Sequence, residues 1–267
     1  MSVNYSGNPE RRLTEVGARC IVPTGKKDEY LIGQLNYLVF CIFNWLIGEL
    51  VDYYISKVRI NHMFYYVARA IGWLLLKIFW RMEVIGVENI PERGGVIIAS
   101  NHVSYLDPIV LGVSTKRKIY FIAKKEVFNN IFSSIILRCL NAFPVDRKKV
   151  DMFAFKKTIS ILEGGGALGI FPEGTRSLNG ELQELKSGVV KIAMKAGVPI
   201  IPVGIIGTHK IYPHGKIFPA LFKNKITVYF GAPQYFDKHN IKDKTYQKEA
   251  LNIISKRIKE LTAIDHN

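Results

Sequence analysis

The chain has 267 residues, enough for one substantial α/β domain plus an appendage, and can bury a large core. Its 37 Lys and Arg against 22 Asp and Glu leave a formal net charge of +15, which points to an anionic partner: nucleic acid, an acidic membrane surface or a phosphorylated substrate. Aromatic residues at 12% and a mean hydropathy of +0.11 argue against a disordered nucleic-acid-binding tail and suit a protein that touches lipid.

Residues 1–29 are polar and mixed in charge, and read as an N-terminal arm without a cleavable signal peptide. Leu31 to Gly48 carries no charge between Glu29 and Glu49, and is close to the lower limit of length for crossing a hydrocarbon core of about 30 Å. Gln34, Asn36 and Asn44 interrupt it, while Tyr37, Phe40, Phe43 and Trp45 supply rings that favour the interface. A second apolar stretch, Phe64 to Trp80, admits Arg69 and Lys77 with Trp73 between them, as a helix lying in the headgroup region would. Residues 30–81 are thus expected to form a membrane-associating helical pair, spanning or lying on the bilayer, ahead of a domain at 82–267. Cys20, Cys41 and Cys139 are widely spaced with no Cys-x-x-Cys pair, so neither a disulfide framework nor a zinc site follows, and a reducing compartment is the economical inference.

From Met82 onward, strands alternate with helices. Strands are expected at Met82 to Val87, Val96 to Ser100, Lys118 to Ala123, Ala167 to Phe171, Pro199 to Ile206 and Ile226 to Phe230, the last at a sheet edge. Helices are expected at Ile131 to Leu140, Val150 to Glu163, Val189 to Lys195 and Tyr246 to Leu261, with Gly164-Gly165-Gly166 ending the second. This alternation argues an α/β fold whose sheet is covered on both faces.

Two stretches carry the chemistry. Val96 to Ser100 runs into Asn101-His102-Val103-Ser104-Tyr105-Leu106-Asp107-Pro108, where Asp107-Pro108 reads as a helix start with Asp107 as the cap. On one helix, five residues would separate His102 and Asp107 by about 140°. Across a turn, the carboxylate can fold back onto the imidazole, fix its tautomer and stabilise the imidazolium formed on proton abstraction. The bland alternative is a capping aspartate beside a hydrogen-bonded turn histidine. Further on, Ala167 to Phe171 leads into Pro172-Glu173-Gly174-Thr175-Arg176-Ser177, in which proline stops the ladder, glycine permits close backbone approach, and the following side chains offer donors to an anion. Arg176 could hold a phosphate with two bonds where a lysine could not.

Together these stretches resemble the glycerolipid acyltransferases, the family that includes bacterial 1-acyl-glycerol-3-phosphate acyltransferases. Asn101 to Pro108 is similar to the family's first block, Phe143-Pro144-Val145-Asp146-Arg147 to the second, Phe171 to Ser177 to the third, and Val198-Pro199-Ile200-Ile201-Pro202-Val203 to the fourth, in order and with similar separations. Asn141, ahead of the second block, stands where glycine is common. The resemblance covers about Val84 to Gly231. It implies a mixed central sheet flanked by helices, and transfer of an acyl group from a thioester (acyl-CoA or acyl-carrier protein) to the sn-2 hydroxyl of lysophosphatidate, giving phosphatidate without metal or other cofactor.

In that reading His102 is the general base and Asp107 its orienting partner, while Lys124, Arg147, Glu173, Gly174, Thr175 and Arg176 shape the site for the phosphorylated acceptor. It also places the enzyme at a membrane, with the catalytic domain on the cytoplasmic face and membrane lipids as partners. From Lys116 to Lys157, eleven Lys and Arg stand against Glu126, Asp146 and Asp151, a surface that would attract an anionic substrate or lipid. The rivals are an acyltransferase for another lysophospholipid or for glycerol-3-phosphate, and a non-catalytic lipid-binding homologue. No nucleic-acid-binding motif accompanies the charge, and no Gly-x-Ser-x-Gly elbow supports a serine hydrolase.

Overall fold

The computed structural model describes residues 62–129, 134, 137, 141–146, 151–213, 219–222 and 224–264, all within one compact unit, Val58–Asn267. The expectations for the N-terminal arm, for Leu31 to Gly48, for most of Ile131 to Leu140 and for Arg147 lie outside the described residues.

The described helices are α1 (His62–Trp80), α2 (Asp107–Val113), α3 (Met152–Glu163), α4 (Gly188–Ala196), α5 (Thr208–Ile211) and α6 (Lys244–Ala263). Between them run β1 (Glu83–Ile85), β2 (Val96–Ser100), β3 (Ile119–Lys124), β4 (Ala142–Val145), β5 (Ala167–Ile170), β6 (Ile200–Ile206) and β7 (Thr227–Phe230). These strands form one sheet in the order β1-β7-β6-β2-β5-β3-β4. β6, β2, β5, β3 and β4 are parallel, whereas β7 pairs antiparallel with β6 and parallel with β1, so the sheet is mixed.

The central position of β2 explains its sequence. All five of its residues are buried, because helices cover both faces of the sheet. Val96 and Ile98 join one apolar cluster with Leu76 and Trp80 of α1 and Val110 and Leu111 of α2. Their neighbours Ile97 and Ala99 join the opposite cluster with Leu162 of α3, Met194 of α4 and Ile254 and Ile258 of α6. The period-two alternation of strand side chains therefore divides one continuous apolar run between two cores.

Two expectations are corrected, and one strand was not anticipated. Ile226 to Phe230 does not give an edge strand: β7 lies between β6 and β1, and the edges are β1 and β4. Ala142 to Val145 forms a strand that composition hides, since Pro144 breaks the apolar pattern yet is tolerated where one side has no partner strand. Asp107 is not the cap of its own helix. It is the first residue of α2, Leu106 takes the cap position, and the Asp107 carboxylate turns back to the preceding loop. Asn141, at the entrance to β4, has φ +53°, a left-handed conformation that Asn tolerates better than most residues with a side chain.

Candidate active site at the carboxyl edge of the sheet

Five parallel strands run the same way, so the segments that follow them emerge along one edge, the usual place for a ligand in an open α/β sheet. β2 ends into Asn101 and His102, β5 into Glu173 to Arg176, and β6 into Thr208, while Lys124 is the last residue of β3. The fourth sequence block, Val198 to Val203, lies at the start of β6 and within it, whereas the first and third deliver side chains to one edge. From the second, the described Asp146 also follows β4 there.

Asn101 ties this edge together. Its amide donates to the Ile205 carbonyl at 2.9 Å and its amide oxygen accepts from the Ile205 N–H at 2.8 Å, extending the β2–β6 pairing with a side chain. His102 follows, with its Nδ1 2.9 Å from Oδ2 of Asp107. The same Oδ2 accepts from the backbone N–H groups of Val103 and Ser104, each at 2.7 Å, and Oδ1 accepts from the Thr208 hydroxyl at 2.7 Å. Asp107 is fully buried, and these four donors replace the water it gives up. The imidazole stacks on Phe171, with ring centroids 4.1 Å apart and planes 22° from parallel. Its side chain retains 17% exposure. With Nδ1 engaged, Nε2 is the nitrogen left to take a proton.

Glu173 faces inward, with only 3% of its surface exposed. Oε1 accepts from the His102 N–H at 2.6 Å and Oε2 from the Gln183 N–H at 3.0 Å. Burial pushes its pKa up to about 7, against the lowering effect of these two bonds, and the nearby Asp107 carboxylate raises it further. The His102 carbonyl in turn accepts from the Ser177 N–H at 2.7 Å, so the two site loops are stitched at both ends. Glu173 therefore holds the loop that presents His102.

Gly174 has φ +76°, and a Cβ there would come within 2.7 Å of Nζ of Lys186, whose side chain crosses over the turn. The exposed Thr175 donates its hydroxyl to Oε1 of Gln183 at 3.3 Å, and Gln183 returns a bond to the Arg176 carbonyl at 3.4 Å. The Arg176 guanidinium lies over Tyr105, its carbon 3.3 Å from the ring centroid, which holds the cation on a ring three residues along the chain from His102. Lys124 stands farther off: its strand is two positions from β2, roughly 10 Å at the usual strand spacing, and its ammonium pairs with Glu126 at 3.5 Å. Lys125 pairs with Asp146 at 2.7 Å.

Sequence reasoning passed over Thr208, Gln183, Lys186 and Phe171 as site residues. Thr208 carried a usable signal, since it follows a buried apolar strand just as His102 follows β2. Lys186 and Gln183 carried none, because their placement depends on a loop that folds back over the Glu173 turn.

The acyltransferase family profile matches residues 81–206. The 1-acyl-sn-glycerol-3-phosphate acyltransferase of Bacillus subtilis (strain 168) is 34% identical over 191 residues, covering 70% of this chain and 92% of the relative. The enzyme of the same name from Borreliella burgdorferi is 30% identical over 176 residues, covering 65% of this chain and 68% of the relative. The crystal structure of the 1-acyl-sn-glycerophosphate acyltransferase of Thermotoga maritima superposes with a TM-score of 0.59 at 26% identity, over 86% of this chain and 98% of that one.

Proposed function

The chain belongs to the glycerolipid acyltransferase family, and from that premise we propose that it moves a fatty acyl group from an acyl thioester to the sn-2 hydroxyl of 1-acyl-glycerol-3-phosphate, producing phosphatidate. The observation that carries this reading is the His102–Asp107 pair, 2.9 Å apart at Nδ1, with an arginine from the loop after β5 held on the Tyr105 ring. Nε2 accepts the proton of the acceptor hydroxyl as its oxygen attacks the thioester carbonyl. Asp107 stabilises the resulting imidazolium through Nδ1. When the tetrahedral intermediate collapses, the carbon–sulfur bond breaks and the imidazolium returns its proton to the departing thiolate. No covalent enzyme intermediate is needed, because the attacking nucleophile belongs to the acceptor.

Arg176 receives the acceptor phosphate, with Lys124 as a more distant cation and Arg147 adding charge of the same sign. The donor is an acyl-CoA or an acyl-carrier protein. The enzyme works on a membrane, with its catalytic domain on the cytoplasmic face. Along α1, Val67, Ile71, Leu74 and Ile78 fall at helical spacing and are 48–55% exposed, a face suited to lipid. No helix among the described residues is long and apolar enough to cross a bilayer.

The test is an assay of purified enzyme with lysophosphatidate, glycerol-3-phosphate and lysophosphatidylcholine, each offered with acyl-CoA and with acyl-carrier protein, and read by product mass. Phosphatidate as the main product supports the reading. Preferred acylation of either other acceptor, or no acylation of any, overturns it.

A further inference from the structure

The Asp107 carboxylate is held from two parts of the chain. Oδ2 accepts from its own loop: His102 Nδ1 at 2.9 Å and the N–H groups of Val103 and Ser104 at 2.7 Å. Oδ1 accepts only from the Thr208 hydroxyl among the described residues, at 2.7 Å, across 101 positions of sequence. Both side chains are fully buried. A single hydroxyl on the strand-to-helix turn after β6 thus holds the second carboxylate oxygen and, with the three donors on Oδ2, restrains rotation about the Cβ–Cγ bond.

We propose that Thr208 is a positioning residue for the transfer reaction: its hydroxyl orients Asp107, and through Asp107 the proton-accepting state of His102. This rests on the reading of His102 as the base. The turn that presents Thr208 is closely specified. Gly207 has φ +91°, and a Cβ there would run into the Lys225 carbonyl oxygen, so the residue that aims Thr208 must be glycine. The Thr208 side chain makes no other hydrogen bond among the described residues. Its proton is therefore committed to Asp107, and no bond moves or breaks at Thr208 during turnover. A donor to a buried carboxylate is a charge-assisted bond, and losing it leaves Oδ1 without a partner in a dry site.

The experiment replaces Thr208 by Val, which keeps shape and removes the hydroxyl, and by Ser, which keeps the hydroxyl. Thr208→Ala also removes the hydroxyl and serves should Val unfold the chain. Folding is checked by thermal unfolding, and steady-state constants are measured for acceptor and donor. Thr208→Val, or Thr208→Ala in its place, is expected to lower kcat on the order of 10-fold or more with little change in either KM, whereas Thr208→Ser stays near wild type. Combined with Asp107→Asn, the same change is expected to add almost nothing, because two residues acting through one contact are not additive.

A merely structural role would lower the folded fraction in both backgrounds alike. A folded Thr208→Val or Thr208→Ala enzyme with wild-type kcat overturns the proposal, as does an undiminished effect in the Asp107→Asn background. His102→Ala, measured alongside, separates the two claims. If it remains active, the reading of His102 itself is wrong. If it is inactive while Thr208→Val turns over normally, only the role of Thr208 falls.

Discussion

Glu173 is buried to serve as an acceptor for two backbone N–H groups, and burial makes its charged form costly. The folded chain holds this proton up to about pH 7, while an unfolded chain releases it near the ordinary value of 4.5. The sign follows from linkage: with the folded pKa raised, the contribution to stability is complete below about 4.5 and is lost as pH climbs through about 7. Urea unfolding at pH 5 and pH 8 should therefore show the wild type losing stability with rising pH more than Glu173→Gln does. Equal slopes would contradict this assignment. Glutamine keeps one acceptor of the two, so Glu173→Gln should also cost about 1–3 kcal/mol and slow turnover by loosening the His102 loop. Arg176 yields a second prediction at this scale. Lysine keeps the charge but loses the flat fork that stacks on Tyr105, so Arg176→Lys should raise the KM for lysophosphatidate much more than that for the acyl donor. A shift confined to the donor KM would move Arg176 to the other substrate. The pairing of His102 with Asp107 was legible in the sequence because a turn of five residues could be reasoned through locally. The inward direction of Glu173 was not legible, since it depends on an N–H ten residues downstream in a loop that reads only as polar.

Among the described helices, α1 carries apolar residues on both its core side and its exposed side. Leu76 and Trp80 enter the core, and Trp80 Nε1 donates to the Ala220 carbonyl at 2.7 Å. The other side exposes Val67, Ile71, Leu74 and Ile78. Arg69, expected with Lys77 and Trp73 in a strip at the headgroup region, donates to the Thr115 carbonyl, so the helix is tied to the turn after α2. Periodicity alone conceals this division, because a helix that is apolar all round has no polar face to mark its orientation. Leu74→Ser with Ile78→Ser should reduce sedimentation with anionic vesicles while leaving the thermal midpoint nearly unchanged, the two side chains being 51% and 55% exposed. An unaltered vesicle-bound fraction would remove α1 from the lipid contact. Strand order was the least legible property. Sequence places β7 late in the chain, but its neighbours are set by which crossover closes over the sheet, and no local residue pattern records that choice.

Over the whole molecule, a net charge of +15 and an apolar helix face would act on the proposed membrane partner by different physics. Screening shortens the reach of charge from about 8 Å at physiological salt to about 3 Å at 1 M, while apolar burial is not weakened by it. Vesicle binding should therefore fall with added NaCl to a plateau above zero, a plateau that the α1 double variant removes. The candidate site's two loops were legible in the sequence as short blocks at strand ends, and the parallel order of β6, β2, β5 and β3 explains why such blocks meet. The sequence did not disclose the bond from Thr208 to Asp107, which requires knowing that β6 lies beside β2. The central claim remains that His102, oriented by Asp107, takes the acceptor's proton. It is tested most directly by the rate of phosphatidate formation in purified His102→Ala, followed by product mass, with folding verified by circular dichroism. The account predicts an unchanged fold and a rate lowered by about 10²–10⁴-fold. A folded variant that makes phosphatidate at the wild-type rate would contradict it.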